Sequence, residues 1–252
     1  MLLQMSDFDR GAVRPGVTAA PDMAVDAGLR AFMLGVYNKV ALGLVLSAVL
    51  AYVTGNVPAV RDLLWQTTIN GARMTLLGMV IAFAPIGILL FQGFARQQSP
   101  ERAAFTYWII VALIGASLGW IFRFYTNGSV VETFLITASA FGVLSLVGYT
   151  TKRDLSGFGS FLIMGVWGLV LAMVVSMFIP SAPLMLAINA IGVLIFAGLI
   201  AHDTQRLKMT YYWVGGDQAA ASVATSYGAL SLYLDFINLF RFLLFFMGGA
   251  RR

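Results

Sequence analysis

LSGFGSFLIMGVWGLVLAMVVSMFIPSAPLMLAINAIGVLIFAGLIAH, residues 155–202, runs for 48 positions without a formally charged side chain. As one helix it would be about 72 Å long, more than twice the roughly 30 Å hydrocarbon thickness of a bilayer. One crossing cannot contain it. The break Ile179-Pro180-Ser181-Ala182-Pro183 supplies a hairpin, because proline removes a helical N–H and clashes with the preceding turn. The stretch therefore reads as two antiparallel membrane helices.

Working outward, the charge-free runs 40–60, 74–95, 103–122 and 133–151 hold 21, 22, 20 and 19 residues, each close to the number that spans a bilayer. They read as helices one to four, with the opening stretch as helices five and six. A last run over 222–247 is interrupted only by Asp235 and Arg241 and reads as helix seven. The expected fold is an all-α membrane protein of seven transmembrane helices spanning 31–252, preceded by a flexible polar tail at 1–30. That tail mixes Asp, Arg, Gly, Pro and Ala without periodicity.

Composition agrees. Of 252 residues, 60% are hydrophobic and 11% charged, against roughly 45–50% and about 25% in a soluble domain. The net charge of +5 is spread singly or in pairs between apolar runs, which speaks to membrane orientation and against nucleic-acid binding. With no cysteine and one histidine, disulfides, thiolate chemistry and multi-His zinc sites are excluded, and no cofactor or resident metal is expected. The N-terminal residues lack the apolar core of a cleavable signal, so helix one is expected to direct insertion. Of the 16 Lys and Arg, ten fall on the N-terminal side of a seven-span chain and six on the other, which predicts a cytoplasmic N-terminus. Trp65, Trp108, Trp120 and Trp213 fall near expected helix ends; Trp167, in mid-helix five, does not.

Asp235 is the first candidate for function. It falls about nine residues into helix seven, roughly 13 Å below its start, where an ionised carboxylate is costly unless compensated. Ala224, Gly228, Ser231, Asp235 and Asn238 recur at intervals of four, three, four and three, a stripe of small and polar side chains predicted to face protein. Asp203, in Ala201-His202-Asp203-Thr204-Gln205-Arg206, is expected at the end of helix six, at the mouth of the bundle. Antiparallel helices six and seven bring it towards Asp235. Arg96, ending helix two, falls on the same side by parity. Clustered, two carboxyls and a guanidinium titrate as a unit and make a pH sensor along an ion pathway. His202, Ser231 and Asn238 are the possible modulators. Bland readings compete: a buried Asp satisfied by neighbours, an interfacial Asp203, and an Arg96 that only anchors orientation.

No catalytic residue is expected. There is no Gly-rich phosphate loop and no His-Glu-x-x-His. An intramembrane aspartyl protease also places one aspartate on each of two adjacent helices, but its Gly-x-Gly-Asp signature is missing around Tyr233-Leu234-Asp235. Gly115-x-x-x-Gly119 suits close helix packing.

Ser231-Leu232-Tyr233-Leu234-Asp235-Phe236-Ile237-Asn238-Leu239-Phe240, preceded by His202-Asp203-Thr204-Gln205-Arg206-Leu207-Lys208, resembles the Bax inhibitor-1 family in its bacterial branch. Met33-Leu34-Gly35-Val36-Tyr37-Asn38 and Tyr149-Thr150-Thr151-Lys152-Arg153-Asp154-Leu155-Ser156 fit the same branch, and the likeness spans roughly 28–248. The resemblance implies a seven-helix bundle with the last helix central, in the bacterial inner membrane. It implies a pH-responsive calcium leak governed by an aspartate pair and a helix-two arginine, here Asp203, Asp235 and Arg96. It also implies, as the alternative, an interaction protein that binds and modulates a membrane-anchored AAA protease. Two departures stand out: Pro85 occupies a position where some members carry a glutamate, and His202 replaces the aromatic residue common before the first aspartate.

Overall fold

The structure, a computed structural model, describes residues 19–68, 71–92, 99–214 and 216–249. The described chain is overwhelmingly helical: α1 (Ala19–Asn56), α2 (Pro58–Leu64), a hairpin of β1 (Trp65–Thr68) and β2 (Gly71–Met74), α3 (Leu76–Gln92), α4 (Pro100–Ser117), a 3-10 turn (Leu118–Trp120), α5 (Ile121–Phe124), α6 (Asn127–Thr150), α7 (Ser156–Phe178), α8 (Ala182–Val214) and α9 (Gln218–Met247). Six segments are long and apolar enough to cross a membrane: 27–56, 100–124, 127–150, 156–178, 182–214 and 218–247. The shorter α3 is a seventh apolar helix of 17 residues with Pro85 inside it.

Charge-free windows place the crossings but misplace their ends, for a physical reason in each case. Helix one does not begin at 40, because Lys39 is accommodated inside the bundle, its Nζ donating to Ser226 Oγ at 2.6 Å. Part of the expected polar tail is helical too. Leu29, Phe32, Met33 and Val36, spaced by three, one and three, are buried in the core and carry α1 back to Ala19, while residues 1–18 lie outside the described set. Six-to-seven is the larger correction. Helix α8 runs on past His202 to Val214, so Asp203 is mid-helix and not at an end. Helix α9 likewise starts at Gln218, capped by Asp217 accepting from the N–H groups of Ala219 and Ala220, so Asp235 is about 26 Å along it rather than 13 Å. The β1–β2 hairpin pairs Trp65 with Met74 and Gln66 with Arg73, in a segment read as a plain loop. Trp108 is mid-α4, its ring edge-on to Tyr107 at 5.0 Å, and not at a helix end.

Helix α9 packs against α1, α4, α6 and α8, and between 226 and 240 it is buried on nearly every face, with Leu232, Tyr233, Phe236 and Leu239 all inaccessible. The predicted stripe does face protein, but so do the Leu and Phe faces beside it. Helix α7 is the opposite case: it packs mainly on α8 and leaves most of its apolar surface outward. Lipid tails are as apolar as leucine, so association within the bundle depends on close packing and on internal hydrogen bonds. The Gly115/Gly119 motif serves the first: Gly115 of α4 lies against Ser47 of α1, where a Cβ would come within 2.6 Å of the Ser47 Cα. Ser47 Oγ and Tyr233 OH, 2.7 Å apart, serve the second by tying α1 to α9.

Gly115→Ala is therefore expected to weaken the α1–α4 contact by about 1–3 kcal/mol, an overpacking cost. Gly142→Ala, inside α6 with open space around it, is expected to keep stability or raise it by up to about 1 kcal/mol, alanine being the better helix former. Thermal unfolding in detergent checks both, and equal effects at the two sites would refute the packing role.

Candidate functional site

Asp203 on α8 is 5% exposed, and its carboxyl is held from three directions. Oδ1 lies 2.9 Å from His202 Nδ1; Oδ2 accepts from Arg206 Nη2 at 3.1 Å and from the Ser231 hydroxyl of α9. Arg206 Nη2 also reaches Ser231 Oγ at 3.1 Å. Helical spacing explains the set: Arg206 is one turn beyond Asp203 on α8, and the antiparallel hairpin brings Ser231 opposite both. Charge-assisted bonds of this kind are about twice as strong as neutral ones, which offsets part of the desolvation of a buried carboxylate.

Asp235, one turn past Ser231 on α9, is 6% exposed and lacks such support: its Oδ2 has no hydrogen-bond partner among the described residues. Thr204 Oγ1, next in chain to Asp203, is buried and unpartnered as well. The charges of Asp203 and Arg206 are close enough to act on Asp235, yet no hydrogen bond joins the two carboxyls. The bond between α8 and α9 runs through Ser231 instead. An orphaned buried carboxylate oxygen is satisfied by a proton of its own, by water or by a cation.

Two cavities are lined by neighbours of this pair, the first by His202 and Arg206, which bond to Asp203, and the second by Asn238, about one turn beyond Asp235. One, of about 460 Å³, is lined by Thr151, Arg153, His202, Gln205, Arg206 and Lys208 at the connection between α6 and α7. In it the two hydrogen bonds from Ser156 hold the Asp154 carboxyl below the usual carboxylate range, so this exposed acid stays ionised well into mild acid. The other, of about 630 Å³, lies among α7, α8 and α9 and is lined by Asn189, Asn238 and Arg241. Along α9, Asn238 of the second cavity is about one turn beyond Asp235, while no described residue of α9 lines the first.

Of the residues singled out from sequence, Asp203, His202 and Ser231 come together, with Asp235 one turn deeper. Asn238 does not join them: its amide donates to Leu234 O at 2.8 Å and lines the second cavity. Arg96 lies outside the described residues. The guanidinium seen on Asp203 belongs to Arg206, which sequence reasoning counted only as a positive charge at the helix end. Its signal was the Asp203-Thr204-Gln205-Arg206 spacing, visible once the helix is known to continue. Arg241 and Asn189 were missed as cavity residues.

Removing the Ser231 hydroxyl deprives Asp203 of one donor. Ser231→Ala is expected to destabilise the bundle by about 0.5–1.5 kcal/mol. A double-mutant cycle with Asp203→Asn should return a coupling of that order, and additive effects would dissociate the two groups.

The chain matches the family model described as inhibitor of apoptosis-promoting Bax1 over residues 29–252. An uncharacterized protein of Caulobacter vibrioides is 62% identical over 251 residues, covering 98% of this chain and all of that protein. A Rickettsia prowazekii protein is 42% identical over 236 residues, with 93% of this chain and 96% of the relative aligned. The inner membrane protein YbhL of Escherichia coli strain K12 is also 42% identical, over 228 residues, 89% of this chain and 94% of YbhL. A match across nearly the whole apolar chain, with the aspartate-bearing helices inside it, makes this protein a member of the Bax inhibitor-1 family.

Proposed function

We propose that this chain is a pH-responsive cation leak, with calcium as the favoured ion, in the bacterial inner membrane. The observation that carries the reading is the buried Oδ2 of Asp235, unpartnered among the described residues and one turn from the Ser231 hydroxyl that Asp203 and Arg206 share. A hard cation prefers carboxylate, hydroxyl and carbonyl oxygens, and Asp235 and Thr204 offer unsatisfied ones. Two carboxylates fall short of the six to eight oxygens of a calcium cage, which favours transit over storage. Proton and cation then compete for one carboxyl, and occupancy by either changes the charge between α8 and α9. The Arg206 and Ser231 bonds to Asp203 are the two-state element: they persist or break according to the charge nearby.

Within this reading α3 is the seventh crossing and α9 the hub, the N-terminus is cytoplasmic, and the Asp203 end faces the cytoplasm. Arg96 would join the site as its second cation. The reading assigns no catalytic role: an aspartyl-protease pair shares one proton directly, whereas Asp203 is tied to Arg206 and Ser231. One observation favours the alternative role of an interaction protein for a membrane-anchored AAA protease. Trp167, in the middle of α7, is 66% exposed on a helix that packs mainly on α8.

The test is flux into liposomes carrying the purified chain and a calcium indicator, scanned from about pH 5 to 8. Calcium entry should vary with pH in the wild type, and Asp235→Asn should flatten that variation. Asp154→Asn should leave the midpoint in place, because the Ser156 bonds keep that carboxyl ionised throughout this window. Its contribution to stability is present at neutral pH and is lost only as pH falls through its lowered pKa. Absence of flux at every pH would reject the leak and shift weight to the protease-partner reading.

A further inference from the structure

Arg241 belongs to neither the aspartate pair nor its hydrogen bonds. It lies six residues before the end of α9, roughly 9 Å from the Met247 end, inside a helix otherwise apolar from Phe240 to Met247. Among the described residues it has no ion-pair or hydrogen-bond partner. A guanidinium does not shed its proton, so an unpaired one in a membrane helix calls for an anion or for water.

Its side chain opens on the 630 Å³ cavity, and among the described residues no Asp or Glu lines that cavity. Asn189 and Asn238 face it too, and each spends one amide hydrogen on its own helix, to Met185 O and Leu234 O, leaving a second available. The polar floor is thus a donor set for an anion. The walls have the opposite character: Val170 and Met173 of α7, Met185 of α8 and Phe245 of α9 line the same cavity and remain exposed. A ligand that satisfies both carries negative charge at one end and hydrocarbon at the other. Arginine near a helix end reaches headgroup level, which sets the charged end at the membrane surface.

We infer that this groove is a binding site for an anionic phospholipid, with the headgroup phosphate on Arg241 and an acyl chain along Val170, Met173, Met185 and Phe245. Free phosphate fits the floor but leaves the walls bare. The inference is independent of the cation leak, because neither Asp203 nor Asp235 lines the groove.

The experiment is thermal unfolding of the purified full chain in detergent, titrated with phosphatidylglycerol, with phosphatidylcholine or with inorganic phosphate. Phosphatidylglycerol should stabilise saturably and the other two should not. Arg241→Gln should weaken the phosphatidylglycerol effect at least about tenfold, Arg241→Lys should retain more of it, and Arg61→Gln, at the exposed Arg61–Asp62 pair, should behave as wild type. Equal stabilisation by phosphatidylcholine, an equal effect of phosphate alone, or an unchanged response in Arg241→Gln would overturn the assignment. If Arg241→Gln does not fold, photo-crosslinking of a phosphatidylglycerol analogue to the wild-type chain decides the matter. Adducts near 170–173 and 241–245 support the site, and adducts confined elsewhere overturn it.

Discussion

The carboxyl of Asp203 is buried where neither bulk water nor lipid can solvate it, so protein donors must, and much of the surrounding geometry follows from that need. Arg206 reaches Oδ2 only if α8 stays helical through Arg206, and Ser231 reaches it only if α9 runs antiparallel at close range. Close range in turn demands small residues on the neighbours. Gly148 of α6 lies against the Ala201 backbone, Gly159 of α7 against the His202 ring, and Gly228 of α9 against Leu207, each at a spot where a Cβ would collide. Three helices thus meet α8 through glycines flanking one aspartate. In a bilayer, where apolar burial between helices yields little, this combination of close packing and a satisfied charge has to supply the specificity.

Asp235 gains meaning by contrast. The two acids sit on adjacent helices at similar exposure, yet one has three partners and the other an orphaned oxygen. If the pair served stability alone, the second would be bonded like the first or replaced by an apolar side chain, since an unsatisfied buried carboxyl costs about 1–3 kcal/mol or more. Natural proteins keep such unsatisfied groups mostly where something must bind or move. That asymmetry, more than the presence of two aspartates, is what singles out α9 as the functional element.

How much was legible beforehand depended on whether the sequence signal survived tertiary context. Apolar runs were legible because a bilayer fixes their length. Helix ends were not, because charges end a membrane helix only when unpartnered, and Lys39 has Ser226 while Asp203 and Arg206 have each other. Placing Asp203 at the end of its helix followed from the same assumption, whereas α8 continues eleven residues beyond it to Val214. The β1–β2 hairpin was not legible from an Asn-Gly turn signal at 70–71, because the register pairs Gly71 with Thr68 inside the ladder. The α9 stripe was read correctly, but its neighbours are buried too, a consequence of packing on four helices that a single helix's periodicity cannot express.

Two ionisable groups therefore stand out on one helix, Asp235 with an unpartnered Oδ2 and Arg241 with no partner among the described residues, six residues and about 9 Å apart along its axis. Six residues at about 100° each turn the two side chains about 120° apart around α9, and the charges that act on Asp235 are those of Asp203 and Arg206. The middle of α9 therefore answers to α8, and its last turns to the groove it shares with α7 and α8. Burial on nearly every face holds for 226–240, whereas Arg241, Phe245, Phe246 and Met247 are exposed, so one helix carries an acid that only protein can satisfy and a cation open to what surrounds the bundle.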